Sequence, residues 1–230
     1  MLNDEMLDVN IIWSEIKNGK IPLGAKSVPI HHSNNYRKVF HHKNIFIKVN
    51  QMRPPPPFYK VRNRGGFQCL HSEAILLNEL SGTKLVPEMI GYKRDDHYEM
   101  LIIRGVNGAT LDAIKVTFLE SLLITIRLVI NTFYLSRRGV VHGDIQISNI
   151  IFDKSLKPVF IDFGYSRRIH PAKAFFLNFF IVRLSHPYYN RPLMLTFPRI
   201  VELSLPIRLR GLWCGLFFMK PYKIRKDNTA

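Results

Sequence analysis

Apolar and polar side chains alternate along Asn44-Ile45-Phe46-Ile47-Lys48-Val49, the period-two signature of a half-buried strand. On such a strand Lys48 points away from the apolar surface. The period lengthens over Ser72 to Leu80, where Ile75, Leu76 and Leu80 form an apolar stripe closed by Ser81-Gly82, which predicts a helix. Leu85 to Tyr92 and Tyr98 to Ile103 read as a connection and two strands. Thr117 to Ser136 is so rich in Leu, Ile and Val that it predicts a long helix buried on most sides. Glu120, Arg127 and Asn131 interrupt that run, so a membrane-spanning segment is not expected. In Gly139 to Gly164 the β-branched run Val159-Phe160-Ile161 predicts two short strands joined to two loops.

The chain has 230 residues and is 47% hydrophobic, enough for a single domain or for two small lobes around a shared cleft. Two lobes fit the order of elements better. A sheet-rich smaller lobe is expected over about 21–103, a hinge over about 104–108, and a helical larger lobe over about 109–230. Cys69 and Cys214 belong to no metal-like spacing, and the pairs His31-His32 and His41-His42 lack a carboxylate or cysteine at ligand spacing. The acidic opening Met1 to Glu5 is unlike a secretory leader, and a cytoplasmic location is expected.

Candidate chemistry concentrates in Gly139 to Gly164, reading GVVHGDIQISNIIFDKSLKPVFIDFG. His142-Gly143-Asp144 is followed by Asn149 in an Asp-x-x-x-x-Asn spacing, and Asp162-Phe163-Gly164 ends the β-branched run. Phosphoryl transfer needs charge neutralisation and alignment more than covalent help. Its parts are oxygen ligands for magnesium and a carboxylate beside the attacking hydroxyl. Asn149 and Asp162 suit the metal, and Asp144 suits the nucleophile.

This segment resembles the catalytic and metal-binding loops of the protein-kinase-like superfamily. Its His-Gly-Asp form is similar to the small atypical branch of lipopolysaccharide core sugar kinases and RIO-like kinases. The resemblance implies an α+β, two-lobed fold with a sheet-rich small lobe and a helical large lobe, with ATP and Mg2+ bound between the lobes. It also implies that Asp144 orients or deprotonates the acceptor hydroxyl and that Lys48 holds the phosphates. The pattern Glu-x-x-x-Leu-x-x-Leu assigns the lysine's partner to Glu73, with Glu79 as runner-up. Adenine would meet backbone groups near Arg104 and Val106.

Some features depart from the family. No Gly-x-Gly-x-x-Gly precedes Lys48, where the chain reads Gly24-Ala25-Lys26-Ser27 and His31 to Asn35, so either ATP is held more loosely or backbone amides of a non-glycine turn cover the phosphates. Gly143 stands where regulated protein kinases carry an arginine, so control by activation-loop phosphorylation is not expected. No Ala-Pro-Glu motif follows Gly164, so the helical subdomain that grips a peptide is expected to be reduced or absent, which shifts the expected acceptor towards a lipopolysaccharide core sugar or a protein Ser/Thr hydroxyl.

The formal charge of +16 calls for an anionic partner. A phosphorylated glycolipid and the inner membrane surface suit it, and nucleic acid is the weaker candidate. Phe175 to Phe180, Ile207 to Trp213 and Leu216 to Lys220 mix aromatics with bases and fit either a helical core or a membrane interface, and Lys220 to Lys226 reads as a solvated basic face. Pro54 to Pro57 reads as a stiff connector, followed by Arg62, Arg64 and Gly65-Gly66. A pseudokinase that uses the same fold to bind nucleotide or membrane is the alternative.

Overall fold

In the computed structural model, the residues described are 8–28, 37–51, 70–110, 113–114, 116–180, 192–205 and 209. The proline connector with Arg62 and Arg64, both cysteines, His31-His32 and the tail beyond 209 lie outside them. The chain divides into two compact units, one of Met1–Lys60, Cys69–Gly82 and Pro87–Gly105, the other of Val61–Gln68, Thr83–Val86 and Val106–Ala230.

The first unit is built on a five-stranded antiparallel sheet. Its strands are β1 (Lys26–Val28), β2 (Arg37–His42), β3 (Ile45–Gln51), β4 (Met89–Arg94) and β5 (Tyr98–Arg104), in the order β1-β2-β3-β5-β4. Helix α1 (Val9–Lys17) covers one face, and helix α2 (Leu70–Glu79) packs on β4 and β5. Alternation along β3 sends Ile45, Ile47 and Val49 into a core with Ile12 and Ile16 of α1, Phe40 of β2, and Met100 and Ile102 of β5. Lys48 sits on the opposite face, in register with Leu101. Both faces are therefore covered, which is why Lys48 is buried rather than solvated.

Three expectations change here. The unit begins before residue 21, because α1 contributes two fully packed isoleucines; Val9, Ile12, Trp13 and Ile16 carry the helical period that shows it. In α2 the buried face is Leu70, Glu73, Ala74 and Leu77 with Leu76, while Ile75 is exposed. Arg104 is the last residue of β5 rather than part of a hinge, and its N–H donates to Glu88 O at 2.8 Å.

The second unit contains helices α3 (Phe118–Arg137), α4 (Pro171–Phe179) and α5 (Phe197–Ser204). It also holds two small antiparallel sheets. One is β6 (Ala109–Thr110), β8 (Ile150–Phe152) and β9 (Pro158–Phe160), and the other pairs β7 (Val140–Val141) with β10 (Arg167–Arg168). The segment Gly139 to Gly164 thus carries three short strands, not two. Thr117 caps α3 through a complete capping box with Glu120, which fixes its start.

The expected burial of α3 on most sides is not observed. Only 28% of its most apolar stretch is buried, through Ile124, Leu128, Leu135 and small polar residues such as Ser121 and Thr132. Leu119, Leu122, Ile126 and Ile130 face outward. A run that is apolar all round carries no mark of which side the neighbouring helices cover, and α4 and α5 cover only one. The α+β class stands, with a sheet-rich first unit and a helical second unit.

Candidate functional site

Within the first unit, strand alternation and helix periodicity bring two charges together. Lys48 Nζ donates to Glu73 Oε1 at 2.6 Å, and the side chains are 10% and 1% exposed. Glu73 lies on the buried face of α2, between Leu70 and Leu77, whereas Glu79 lies on the exposed face. The runner-up is therefore excluded as the partner. Glu73 Oε2 makes no hydrogen bond, so the pair is a desolvated charge site with an acceptor left over, which is costly to keep for stability alone. A lysine held this way has its charge aligned before an anion arrives.

The second cluster is made by backbone pairing in the second unit. Ile150 of β8 faces Phe160 of β9, and one step outward Ile161 N donates to Asn149 O at 2.9 Å. Asn149 thus sits directly before one strand and Asp162 two residues beyond the end of its partner, at the same end of the sheet. Asn149 Nδ2 donates to Asp144 Oδ2 at 2.9 Å and to Asp144 O at 3.1 Å. These bonds fix the amide, with its oxygen as the atom a cation would meet. Gln146 Nε2 donates to the same Asp144 Oδ2 at 3.0 Å, so two amides orient a carboxylate that is 7% exposed.

Asp162 adopts the left-handed conformation, φ 60 and ψ 67, and its Oδ1 is sealed from solvent. Aspartate is among the few residues that tolerate this region, and a carboxylate held in a sparse backbone state is common where a ligand must be met. An amide oxygen and a carboxylate are hard donors that fit Mg2+. Among the described residues, no group of three or more His, Cys, Asp or Glu side chains converges, so any cation in this unit would complete its shell with ligand oxygens or water.

Several supporting residues had no assigned part in the sequence reading. His142 is fully buried; its Nδ1 accepts from Asp144 N at 3.3 Å, and its Nε2 lies 3.1 Å from Ile161 O, the neutral Nε2–H tautomer. One imidazole therefore ties the loop of Asp144 to the strand leading to Asp162. Its ring packs on Phe163, centroids 4.6 Å apart. Asn178 of α4 accepts from His142 N at 3.1 Å and donates to Val140 O at 2.8 Å, and Thr196 Oγ1 donates to Ile145 O at 2.6 Å. These braces come from residues far along the chain. No local spacing announces them.

Gly143 has a backbone reason. Its φ is +85, and a Cβ there would lie 2.5 Å from Tyr165 O, the chain's close return after Asp162. An arginine does not fit this backbone. Gly143→Ala is expected to lower stability by about 2–4 kcal/mol, combining left-handed strain with a clash against a main-chain carbonyl. A urea midpoint equal to wild type would contradict that placement.

The remaining predicted positions are less involved. Arg104 pairs through Nε with Glu88 at 2.8 Å, both partly exposed, and its N–H is already spent in the sheet. Val106, half-buried, opens the last stretch of the second unit, Val106–Ala230. His41 stacks on Phe46, centroids 4.5 Å apart, the ordinary place of a strand histidine.

No protein-family model and no curated protein matches the chain. Among solved structures it is similar to WbdD in co-crystal with a kinase inhibitor, at 20% identity and a TM-score of 0.45, covering 64% of this chain and 35% of that one. It is also similar to the Cydia pomonella granulovirus kinase PK-1, at 14% identity and a TM-score of 0.45, covering 70% of this chain and 56% of that one. The chain thus spans about a third of the first protein's length and just over half of the second's.

Proposed function

We propose that the chain is an ATP- and Mg2+-dependent phosphotransferase of the protein-kinase-like type, acting on a hydroxyl of a lipopolysaccharide core sugar or of a protein. The observation that carries this reading is the Asp144 carboxylate, clamped by Asn149 and Gln146 and tied through Asn149 O and His142 to the strand that presents Asp162. A fixed carboxylate next to a pair of hard oxygen donors is what transfer to an alcohol requires.

In this proposal Asp144 accepts the hydroxyl proton as the oxygen attacks the γ-phosphorus and the bond to ADP breaks. Lys48, braced by Glu73, binds phosphate oxygens. Asn149 and Asp162 would hold Mg2+, which when bound offsets the phosphate charge. Of the backbone groups proposed to receive adenine, those near Val106 fit better than the Arg104 N–H, which is committed to Glu88. A cytoplasmic location, where ATP is supplied, is part of the same proposal.

Thermal unfolding with ATP, with and without Mg2+, tests it. Nucleotide at about 100 times its dissociation constant stabilises the folded chain by about 2.7 kcal/mol, a shift of several degrees. The proposal predicts such a shift with ATP and Mg2+ and a smaller one with ATP alone. No shift in either condition would overturn nucleotide binding. A full shift without any turnover would favour a pseudokinase.

A further inference from the structure

Nine positions of α3 are exposed, and eight of them are apolar, Arg137 being the exception. Leu119, Leu122, Ile126, Val129, Ile130 and Phe133 recur at helical spacing along a single face. The face continues onto α4. Phe133 meets Phe175 with centroids 6.2 Å apart, and Phe176 and Phe180 beside it are 53% and 52% exposed. A contiguous apolar surface spanning two helices is unusual for a surface left in water.

Cations border this face. Arg137 and Arg138 end α3, with Arg138 over the Tyr134 ring at 4.4 Å, and Lys173 is exposed on α4. Arg127 donates to Ser155 O, which draws the β8–β9 turn with exposed Lys154 and Lys157 alongside the helix. Among the described residues, the acids Glu120 and Asp153 beside this rim are occupied locally, Glu120 by the Thr117 cap and Asp153 by the N–H groups of Ser155 and Lys157.

We infer that the α3–α4 face lies on an anionic lipid surface, its apolar side chains entering the interface and the arginines and lysines meeting headgroups. This inference is independent of the phosphotransfer reading. By length and composition α3 is also able to cross a membrane. Its other side, however, is packed into the unit, with Ser136 bonded to Asn178 and Asn131 to Pro158 O, so it lies on the bilayer rather than through it. A second copy placed on this face would set the basic rim against itself, with a charge of +16 on each chain adding to the repulsion.

Flotation of the full chain with vesicles decides the matter. The chain is expected to float with phosphatidylcholine vesicles containing phosphatidylglycerol and roughly tenfold less with phosphatidylcholine alone or at high salt. The triple variant Leu119→Glu, Ile126→Glu, Ile130→Glu should stay behind. Flotation of that variant at the wild-type level, or no flotation of the wild type, overturns the inference. So does self-association of the wild type that the variant abolishes without any vesicle binding, since the face then belongs to a second copy. Should the triple variant fail to fold, Leu122→Trp decides instead. Its emission must shift to the blue on adding anionic vesicles by more than that of the wild type, which carries Trp13 and Trp213; an equal response overturns the inference.

Discussion

Asp162→Asn is expected to lower the proposed magnesium-dependent ATP turnover by at least about 10²–10³-fold while leaving the fold intact. Asparagine is the informative replacement because Asp162 occupies the left-handed region at φ 60, which asparagine also tolerates. Only the charge is removed. Asp162→Ala should lose turnover as well but adds backbone strain of about 1–2 kcal/mol, so its loss mixes two causes. Turnover at different Mg2+ concentrations, beside a urea midpoint, separates them. An Asn variant with wild-type turnover would remove Asp162 from the proposed site.

Lys48→Met has the largest expected effect on stability. The Lys48–Glu73 pair is buried on both sides, and removing the lysine strands a carboxylate that is 1% exposed, which costs about 3–5 kcal/mol. That is a large share of the stability of an ordinary domain. Replacing both partners, as in Lys48→Met with Glu73→Leu, should restore most of the stability, since apolar groups of similar volume fill such sites well. Turnover should stay lost in the double variant. If the double variant both folds and turns over ATP like wild type, the pair is a structural element without a part in phosphate binding.

How far the sequence discloses this geometry depends on the range over which each interaction acts. Contact between Lys48 and Glu73 was legible because period-two alternation and a helical glutamate followed by leucines each say which way a side chain points. The neighbourhood of Asp144, Asn149 and Asp162 was legible because a short hairpin, β8 to β9, brings residues close in sequence together. Asn178 and Thr196 were not, because their bonds to His142 and Ile145 span 36 and 51 residues. In the sequence Gly143 shows only as a missing arginine; its cause is a positive φ against Tyr165 O that no residue pattern displays. The exposure of α3 does not show in the sequence for a related reason: hydrophobicity locates an apolar helix but not the number of neighbours available to cover it.

Phosphoryl transfer from γ-labelled ATP, followed by mass spectrometry of the products, tests the central claim most directly. The wild-type chain, incubated with Mg2+ and either glycolipid or protein extracts, is expected to yield a phosphorylated acceptor that Asp144→Asn does not produce. Label transfer equal in the two chains, or none from the wild type to either extract, would contradict the assignment of Asp144 as the group that handles the acceptor hydroxyl.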